Sequence, residues 1–464
     1  MFPKTTDLST AEGRSKDRYR RAFLTTLVSA LSKIVTVCTS LISVPLTLHY
    51  LGVERYGLWM TMSSLIACLG FSDLGINNGL LNGISKSKGT DNRALGQQYV
   101  SSAFFFLTAI AVVMGLIFAC AYQWIPWRNL FHVASSKAIA EAGPAVAAFV
   151  GCFLAGIPAG IVTRVQSGYQ EGFSANLWSF LGGIIGFAAL LAVVSLHGSL
   201  VYLVLAVSGV PLIAVVSNAL MFFGTRRPWL RPAWSQVKGH ISKDLLHSGF
   251  LFLMLQFAVA VSYSSDNIVI AQVLGAEAVT QYAVPSKLFT VVNLLSYFVL
   301  TPLWPAYAEA LARKDYCWVK KTFFRSLALV AGTALPLSIL LLILAPTIIR
   351  IWIGPQFHVS SLLLVGLAAW SVLSAVSNSF AMLLNAATII NFQVIVALIS
   401  STGNITLSLY LTKHVGVSGV VYGSIASQVV LVLIPYWFYT RNFLHTFDEP
   451  PISHTEPTFV ANPF

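Results

Sequence analysis

Twelve long apolar stretches constrain the fold of this chain more than any other feature of its sequence. A helix needs about 20 apolar residues to cross the roughly 30 Å hydrocarbon core of a membrane. Stretches of about that length lie at residues 22–49, 57–82, 99–122, 143–165, 177–196, 199–223, 247–273, 282–305, 323–346, 360–386, 389–412 and 416–438. Only 9% of the residues are charged, and 56% are hydrophobic, which excludes an ordinary soluble protein. The sequence predicts an all-α polytopic membrane protein with about 12 transmembrane helices.

Lys and Arg are distributed unevenly among the segments that join these stretches. Of the 28, 21 fall in alternate segments starting with the first, and five fall in the others. The positive-inside rule therefore predicts that both termini are cytoplasmic. The formal net charge of +12 does not indicate a nucleic-acid partner, because basic residues confined to such segments are topology signals. We expect the most basic segments to contact anionic membrane lipids.

The basic segment around Arg226 divides the stretches into two sets of six. The predicted parts are a cytoplasmic N-terminal segment (1–21), an N-lobe (22–223), a cytoplasmic linker (224–246), a C-lobe (247–440) and a disordered cytoplasmic tail (441–464). A weak internal repeat supports this division, since LHYLGVERYGLW from Leu48 resembles AQVLGAEAVTQYAV from Ala271. An even number of spans separates the two copies. The repeat therefore predicts two pseudo-symmetric six-helix lobes with the same orientation.

The sequence GFSDLGINNGLLNGIS, residues 70–85, is unusually polar for an apolar stretch. Three glycines repeat every fourth residue and share one helix face suited to close packing: Gly75, Gly79 and Gly83. Asp73 and Asn77 point roughly away from that face. The repeat places this region opposite residues 301–305, which contain two prolines, and paired interruptions of this kind mark substrate paths in transporters. Two interpretations stay open: a polar spot that fixes helix packing, or a cavity-lining site.

Four ionisable residues lie inside the apolar stretches and away from their ends, where charge is costly: Lys33, Asp73, Asp266 and Lys287. Lys33 and Asp73 are about equally far from the turn between their helices, and the same holds for Asp266 and Lys287. We therefore expect one Lys/Asp pair in each lobe. Such pairs are either structural, each charge offsetting the desolvation of the other, or they bind substrate charge or a proton.

Two arginines near the inner ends of predicted helices are candidates for contact with a phosphate group. Arg164 lies in GIVTRVQSGYQEG at the end of the fourth stretch, and Arg325 lies at the start of the ninth. The alternative for each is a lipid-interface position that follows the positive-inside rule.

Motifs for catalysis and for cofactor binding are absent from the sequence. It contains no GxxxxGK[ST], GxGxxG, HExxH or GxSxG pattern. Its nine histidines and five cysteines show no metal-ligand spacing. We therefore expect no enzymatic activity, no cofactor and no metal.

Four segments together resemble the polysaccharide-transport branch of the multidrug/oligosaccharidyl-lipid/polysaccharide exporter superfamily. They are PLTLHYLGVERYGLWM from Pro45, FSDLGINNGLLNGIS from Phe71, SDNIVIAQVLGAEAVTQYAV from Ser265 and IIRIWIGPQF from Ile348. The resemblance implies two lobes around a central cavity, often lined by cationic residues, that work by alternating access. It implies a bacterial inner-membrane flippase that moves undecaprenyl-pyrophosphate-linked oligosaccharides outward for O-antigen, capsule or exopolysaccharide assembly. A polysaccharide polymerase and glycosyltransferases are then candidate partners.

The resemblance also implies which residues line the cavity: Lys33, Asp73, Arg164, Asp266 and Lys287. Lys and Arg would bind phosphate, while Asn77 and Asn78 would bind sugar hydroxyl groups. The absence of a nucleotide-binding loop points to an ion gradient as the energy source. Asp73 and Asp266 are the candidate sites for the coupling proton or Na⁺.

The main alternative is a multidrug exporter of the same superfamily that carries organic cations. Acids should dominate the cavity of a cation exporter, whereas here two lysines match two acids and Arg164 adds a positive charge. A non-transporting membrane scaffold is a third class, but it would not need the symmetric Gly/Pro interruptions.

Overall fold

The computed structural model describes residues 11–68, 73–127, 135–274, 276–352 and 359–447. All regular structure in these ranges is helical, as expected where backbone groups in a membrane must bond within their own segment. The all-α fold class is thereby confirmed. The first half of the chain contains α1 (Ala11–Cys68), α2 (Ile76–Gly89), α3 (Arg93–Tyr122), α4 (Ser136–Ala159), α5 (Ile161–Gly168), α6 (Gly172–Ser195), α7 (Leu200–Val204) and α8 (Val210–Met221).

The second half continues the helical pattern. It contains α9 (Gly239–Leu274), α10 (Ala276–Leu300), α11 (Leu303–Ala312), α12 (Tyr316–Trp352), α13 (Ser361–Ala386), α14 (Ile390–Val415), α15 (Ser418–Ser427) and α16 (Ile434–His445). Short π-helical segments join α7 to α8 and α15 to α16, so each pair continues as one span.

Ten helical spans in the described ranges are long and apolar enough to cross a membrane. They run from Arg93–Tyr122 to Ser418–His445 and correspond to the third to twelfth predicted stretches. The first two predicted stretches fall on α1, on α2 and on the residues between them. Of these, residues 69–72 lie outside the described residues. Within α1 the chain breaks at Gly52, where φ is 74° and ψ is 168°, close to the predicted first turn. The chain is a multi-pass membrane protein.

The chain divides into two compact units. Unit 1 contains the residues up to Val261 together with Leu294–Arg313 and Asn385–Ile395. Unit 2 contains Ser262–Asn293, Lys314–Leu384 and the residues from Val396 onward. Two stretches from the second half of the sequence therefore pack with the first half. The lobe boundaries at 22–223 and 247–440 stay a prediction.

Helix α2 lies in the core of unit 1. Three of its side chains are at most 1% exposed: Ile76, Leu80 and Ile84. The predicted glycine face is used for close packing, since a Cβ at Gly83 would lie 2.5 Å from the ring of Tyr99. Gly75 has a φ of 72°, and a Cβ there would lie 2.2 Å from the carbonyl oxygen of Gly249. Any larger residue at Gly75 would therefore be excluded by both its backbone and its neighbour.

Both predicted helix interruptions are present, and both belong to unit 1. Residues 73–75 form a turn before α2, and residues 301–302 separate α10 from α11. Asn82 of α2 joins the two regions, because its side-chain oxygen accepts a hydrogen bond from Trp304 Nε1 at 2.7 Å. The Asn82 amide also donates to the carbonyl of Asn385 at 2.8 Å. The first bond fixes α11 against α2, and the second joins α2 to the end of α13.

Candidate substrate cavity

Unit 1 contains a cavity of about 450 Å³, a volume typical of small-ligand sites. Its walls come from α1, α5, α6, the end of α10 and the start of α11. Lys33 and Arg164, both predicted from the sequence, line it together with Arg21. No carboxylate occurs among the lining residues that the structure describes. We call this the cationic cavity.

Two of the three cations are available to a ligand. The side chains of Lys33 and Arg164 are exposed, and neither forms an ion pair with any described residue. Arg21 differs, because its Nε lies 2.7 Å from Asp17 Oδ2 and its Nη1 donates to the carbonyl of Tyr169 at 3.3 Å. Lys33 and Arg164 are therefore the side chains that an anion would meet first.

Neutral polar groups line much of the remaining wall. They include Ser29, Ser32, Thr163, Ser167, Asn176 and Thr301. Asn176 donates to the hydroxyl of Ser29 and so joins α6 to α1. The Thr26 hydroxyl donates to the carbonyl of Phe298 at 3.0 Å, which joins α1 to α10. The aromatic rings of Tyr297 and Trp304 complete the wall. The cavity can therefore bind an anionic group and several hydroxyl groups in one ligand.

Asp73, Asn77 and Asn78 lie at the start of α2 and do not line the cationic cavity. Asp73 Oδ1 accepts from the Gly75 amide at 3.0 Å, and Oδ2 accepts from Asn77 Nδ2 at 2.9 Å. An aspartate that bonds the amide two residues later forms an Asx turn. Its carboxylate therefore stabilises the start of α2. Its role in ion coupling, and the roles of both asparagines in sugar binding, stay predictions.

The Lys/Asp pairs expected from helix depth are not formed among the residues that the structure describes. Lys33 faces the cationic cavity while Asp73 bonds locally. Lys287 is an exposed residue of α10, and Asp266 has other partners. Equal depth brings two side chains to the same level, but the rotation of each helix about its axis decides whether they face each other. Arg325 is exposed on α12 in unit 2, and its phosphate role stays a prediction.

Unit 2 contains a buried carboxylate, that of Asp266, which is 6% exposed. The Tyr282 hydroxyl donates to Asp266 Oδ2 at 3.0 Å, and Ser424 Oγ lies 3.4 Å from Oδ1. Ser424 Oγ also lies 2.9 Å from Asn404 Oδ1. These partners are all neutral, and hard cations prefer oxygen ligands of this kind. A buried carboxylate without a positive partner is costly, so the arrangement favours uptake of a proton or a small cation.

Four members of this site were not identified from the sequence: Tyr282, Asn404, Ser408 and Ser424. Ser408 Oγ lies 3.1 Å from Asn404 Oδ1 and 3.2 Å from the carbonyl of Val420. Asn404 and Ser408 are four residues apart on α14, so they share a helix face. A search for polar pairs at this spacing within apolar stretches would have found them.

A further polar cluster, also missed, surrounds Glu309 near the end of α11 in unit 1. Glu309 is 4% exposed and lies 2.7 Å from Lys88 Nζ and 3.2 Å from Arg313 Nε. Gln170 Nε2 donates to its carboxylate at 2.6 Å. Burial lowers the pKa of Lys88, and the Glu309 charge opposes that shift. The cluster joins α11 to α2 and to the turn at Gln170.

Comparison with known proteins assigns the chain to a family. The model of the family described as "Polysaccharide biosynthesis protein" matches residues 49–362, which is more than half of the chain. The chain belongs to this polysaccharide biosynthesis family. A candidate O-antigen transporter of Salmonella typhi is similar to this family member, with 24% identity over 415 residues that cover 88% of this chain and 94% of that protein. A candidate O-antigen export protein of Yersinia pseudotuberculosis is 24% identical over 288 residues, or 60% of this chain and 63% of that protein.

Solved structures show the fold of this family member. An outward-facing multidrug resistance MATE family transporter of the MOP superfamily gives a TM-score of 0.77 at 12% identity, covering 93% of this chain and 97% of that one. A MOP superfamily transporter from Pyrococcus furiosus, described as having a binding pocket of reversed polarity, gives 0.76 at 12% identity, covering 94% and 97%. Family, relatives and fold confirm the resemblance to the polysaccharide-transport branch of this superfamily.

Proposed function

We propose that this family member is a flippase that moves undecaprenyl-pyrophosphate-linked oligosaccharides across the bacterial inner membrane by ion-coupled alternating access. The product would serve O-antigen, capsule or exopolysaccharide assembly, and both termini would lie in the cytoplasm. The observation that carries the proposal is the cationic cavity. The names of the relatives, which are those of transporters of O-antigen, support transport rather than catalysis.

The cationic cavity matches the chemistry of such a substrate. A pyrophosphate is recognised by Lys and Arg through charge-assisted hydrogen bonds, and Lys33 and Arg164 are available for them. Sugar hydroxyl groups can bond to hydroxyl and amide side chains such as Ser29 and Asn176. Each unpaired charge or hydroxyl group costs several kcal/mol in hydrocarbon, so a polar cavity lowers the barrier to crossing. The polyprenyl tail can stay in lipid throughout.

An exporter of organic cations is the alternative that the fold alone would allow. Such a substrate needs carboxylates or electron-rich surfaces in its binding site. The described lining of the cationic cavity offers three cations and no carboxylate. This charge pattern favours an anionic substrate over a cationic one.

We propose the Asp266 site as the place where the coupling ion binds. An ion shifts a conformational equilibrium only if it binds one state better than the other. Helix movements could change the separations among Asp266, Asn404 and Ser424, because these residues stand on three helices. A proton or Na⁺ bound there in one state would then drive the transport cycle.

Deletion of the gene in its native host tests the proposal. We expect loss of surface polysaccharide, with lipid-linked repeat units accumulating on the cytoplasmic face. Wild-type protein and the control variant Lys238→Gln, Lys321→Gln should restore the polysaccharide, whereas Lys33→Gln, Arg164→Gln should not. Normal surface polysaccharide in the deletion strain would contradict the proposal.

A further inference from the structure

A second cavity of unit 1, about 380 Å³ in volume, lies beside the cationic cavity. Arg21 and Gln170 line both cavities. The second cavity has four arginines in its wall, which come from the start of α1 and from the segment after α8: Arg20, Arg21, Arg226 and Arg227. We call it the arginine pocket.

Two of the four arginines are neutralised by carboxylates of the same wall. Asp17 Oδ2 lies 2.7 Å from Arg21 Nε. Glu171 pairs with Arg227, whose guanidinium group also lies over the ring of Tyr169 at 4.0 Å from its centre. These contacts fix two guanidinium groups and leave them little charge to offer to a ligand.

The other two arginines are not neutralised in this way. Within the described ranges neither Arg20 nor Arg226 forms an ion pair. Arg226 Nη1 lies 3.4 Å from the hydroxyl of Ser174, a neutral group. The pocket therefore carries two uncompensated positive charges, and a guanidinium group matches the geometry of phosphate oxygens.

Apart from Gln170, the remaining wall of the arginine pocket is apolar. Leu24, Phe173 and Trp229 line it, and Trp229 also lies beneath the guanidinium group of Arg93 at 5.4 Å. A free inorganic ion would gain nothing from this apolar surface. A phosphate group attached to an apolar chain would use both surfaces together.

We infer that the arginine pocket is a second binding site, one for a phosphate group carried on an apolar chain. Two molecules have this chemistry: the isoprenoid pyrophosphate of the proposed substrate, and an anionic phospholipid. The first source rests on the proposed function and would make the pocket a docking site next to the cationic cavity. Gln170 forms part of the wall of both cavities. Its backbone φ is 58°, and its side chain donates a hydrogen bond to Glu309.

Binding to purified full-length protein tests the inference independently of transport. All variants carry Lys33→Gln and Arg164→Gln, which remove the available cations of the cationic cavity. The test variant adds Arg20→Gln and Arg226→Gln, and the matched control adds Lys238→Gln and Lys243→Gln. These two lysines are exposed, lie outside the pocket and remove the same charge. Geranyl pyrophosphate and short-chain phosphatidylglycerol are titrated separately and followed by native mass spectrometry.

We expect the test variant to bind one probe at least about tenfold more weakly than the control, because losing even one charge-assisted hydrogen bond weakens binding by about that factor. Weakening for geranyl pyrophosphate assigns the site to the substrate, and weakening for phosphatidylglycerol alone assigns it to a phospholipid. Equal binding of both probes by test and control variants would overturn the inference. Arg226→Gln alone, at an exposed position, repeats the test if the double change impairs folding. A wild-type protein that fails to transport would refute the flippase without changing this result.

Discussion

The cationic cavity of unit 1 and the Asp266 site of unit 2 have opposite electrostatic characters. The first gathers three cations with no carboxylate among its described lining residues. The second holds one buried carboxylate whose described partners are hydroxyl and amide groups. One site is therefore suited to an anion and the other to a proton or a cation. This difference is the basis of our proposal that unit 1 binds the substrate and unit 2 binds the coupling ion.

Removing the two available cations of the cationic cavity in unit 1 should have the largest effect on transport. We expect Lys33→Gln, Arg164→Gln to reduce transport of the lipid-linked oligosaccharide at least about 100-fold, because two charge-assisted bonds of about 1.5–3 kcal/mol each are lost. Initial rates in vesicles measure the change, with Lys238→Gln, Lys321→Gln as the control. A rate within twofold of the wild-type rate would remove the cationic cavity from the mechanism.

Removing the carboxylate of Asp266 in unit 2 should abolish the coupling of transport to the ion gradient and leave substrate binding intact. In Asp266→Asn the only carboxylate of the described site is lost, and we expect an imposed gradient to produce no increase in rate. Affinity for the glycolipid should stay within about threefold of wild type, because the mutated group lies in the other unit. Titration of the substrate with and without a gradient separates these effects. A full response to the gradient would show that the ion binds elsewhere.

Adding a negative charge to the cationic cavity tests whether this cavity binds the anionic part of the substrate. Asn176→Asp changes the size of the side chain little but places a carboxylate in a lining position, and we expect about a tenfold loss of transport from its repulsion of the pyrophosphate. Asn78→Asp makes the same chemical change outside this cavity and serves as the control. Equal losses in both variants would support the sequence prediction that Asn78 contacts substrate.

The smallest effect should come from Asp73, the other acid predicted to couple ions. Asparagine can form the same Asx turn, so we expect Asp73→Asn to keep transport and gradient response within about twofold of wild type. Asp73→Ala should lower the free energy of unfolding by about 1 kcal/mol through loss of the turn. Thermal denaturation in detergent and transport assays measure these changes. Loss of gradient response in Asp73→Asn would restore its predicted role.

The sequence was sufficient to predict the helical architecture because apolar length and glycine spacing are local features. The close packing at Gly75 and Gly83 follows from the glycine spacing. The interruption at residues 301–302 was predicted from the internal repeat and from the prolines there. Lys33 was found because charges are rare inside apolar stretches, and Arg164 because it lies near the inner end of one. The Lys/Asp pairing was wrong because helix rotation depends on packing between distant segments. The contact of Gln170 with Glu309 was missed for the same reason, since 139 residues separate them.

Transport by the purified protein in proteoliposomes tests the proposed flippase function. An undecaprenyl-pyrophosphate-linked oligosaccharide and an organic cation such as ethidium are supplied in parallel, with a proton or Na⁺ gradient imposed separately. Protection of the glycan from a membrane-impermeant reagent measures its movement, and fluorescence measures the movement of the cation. We predict gradient-dependent movement of the glycolipid and none of the cation. Gradient-dependent movement of the cation, with the glycolipid left in place, would contradict the account.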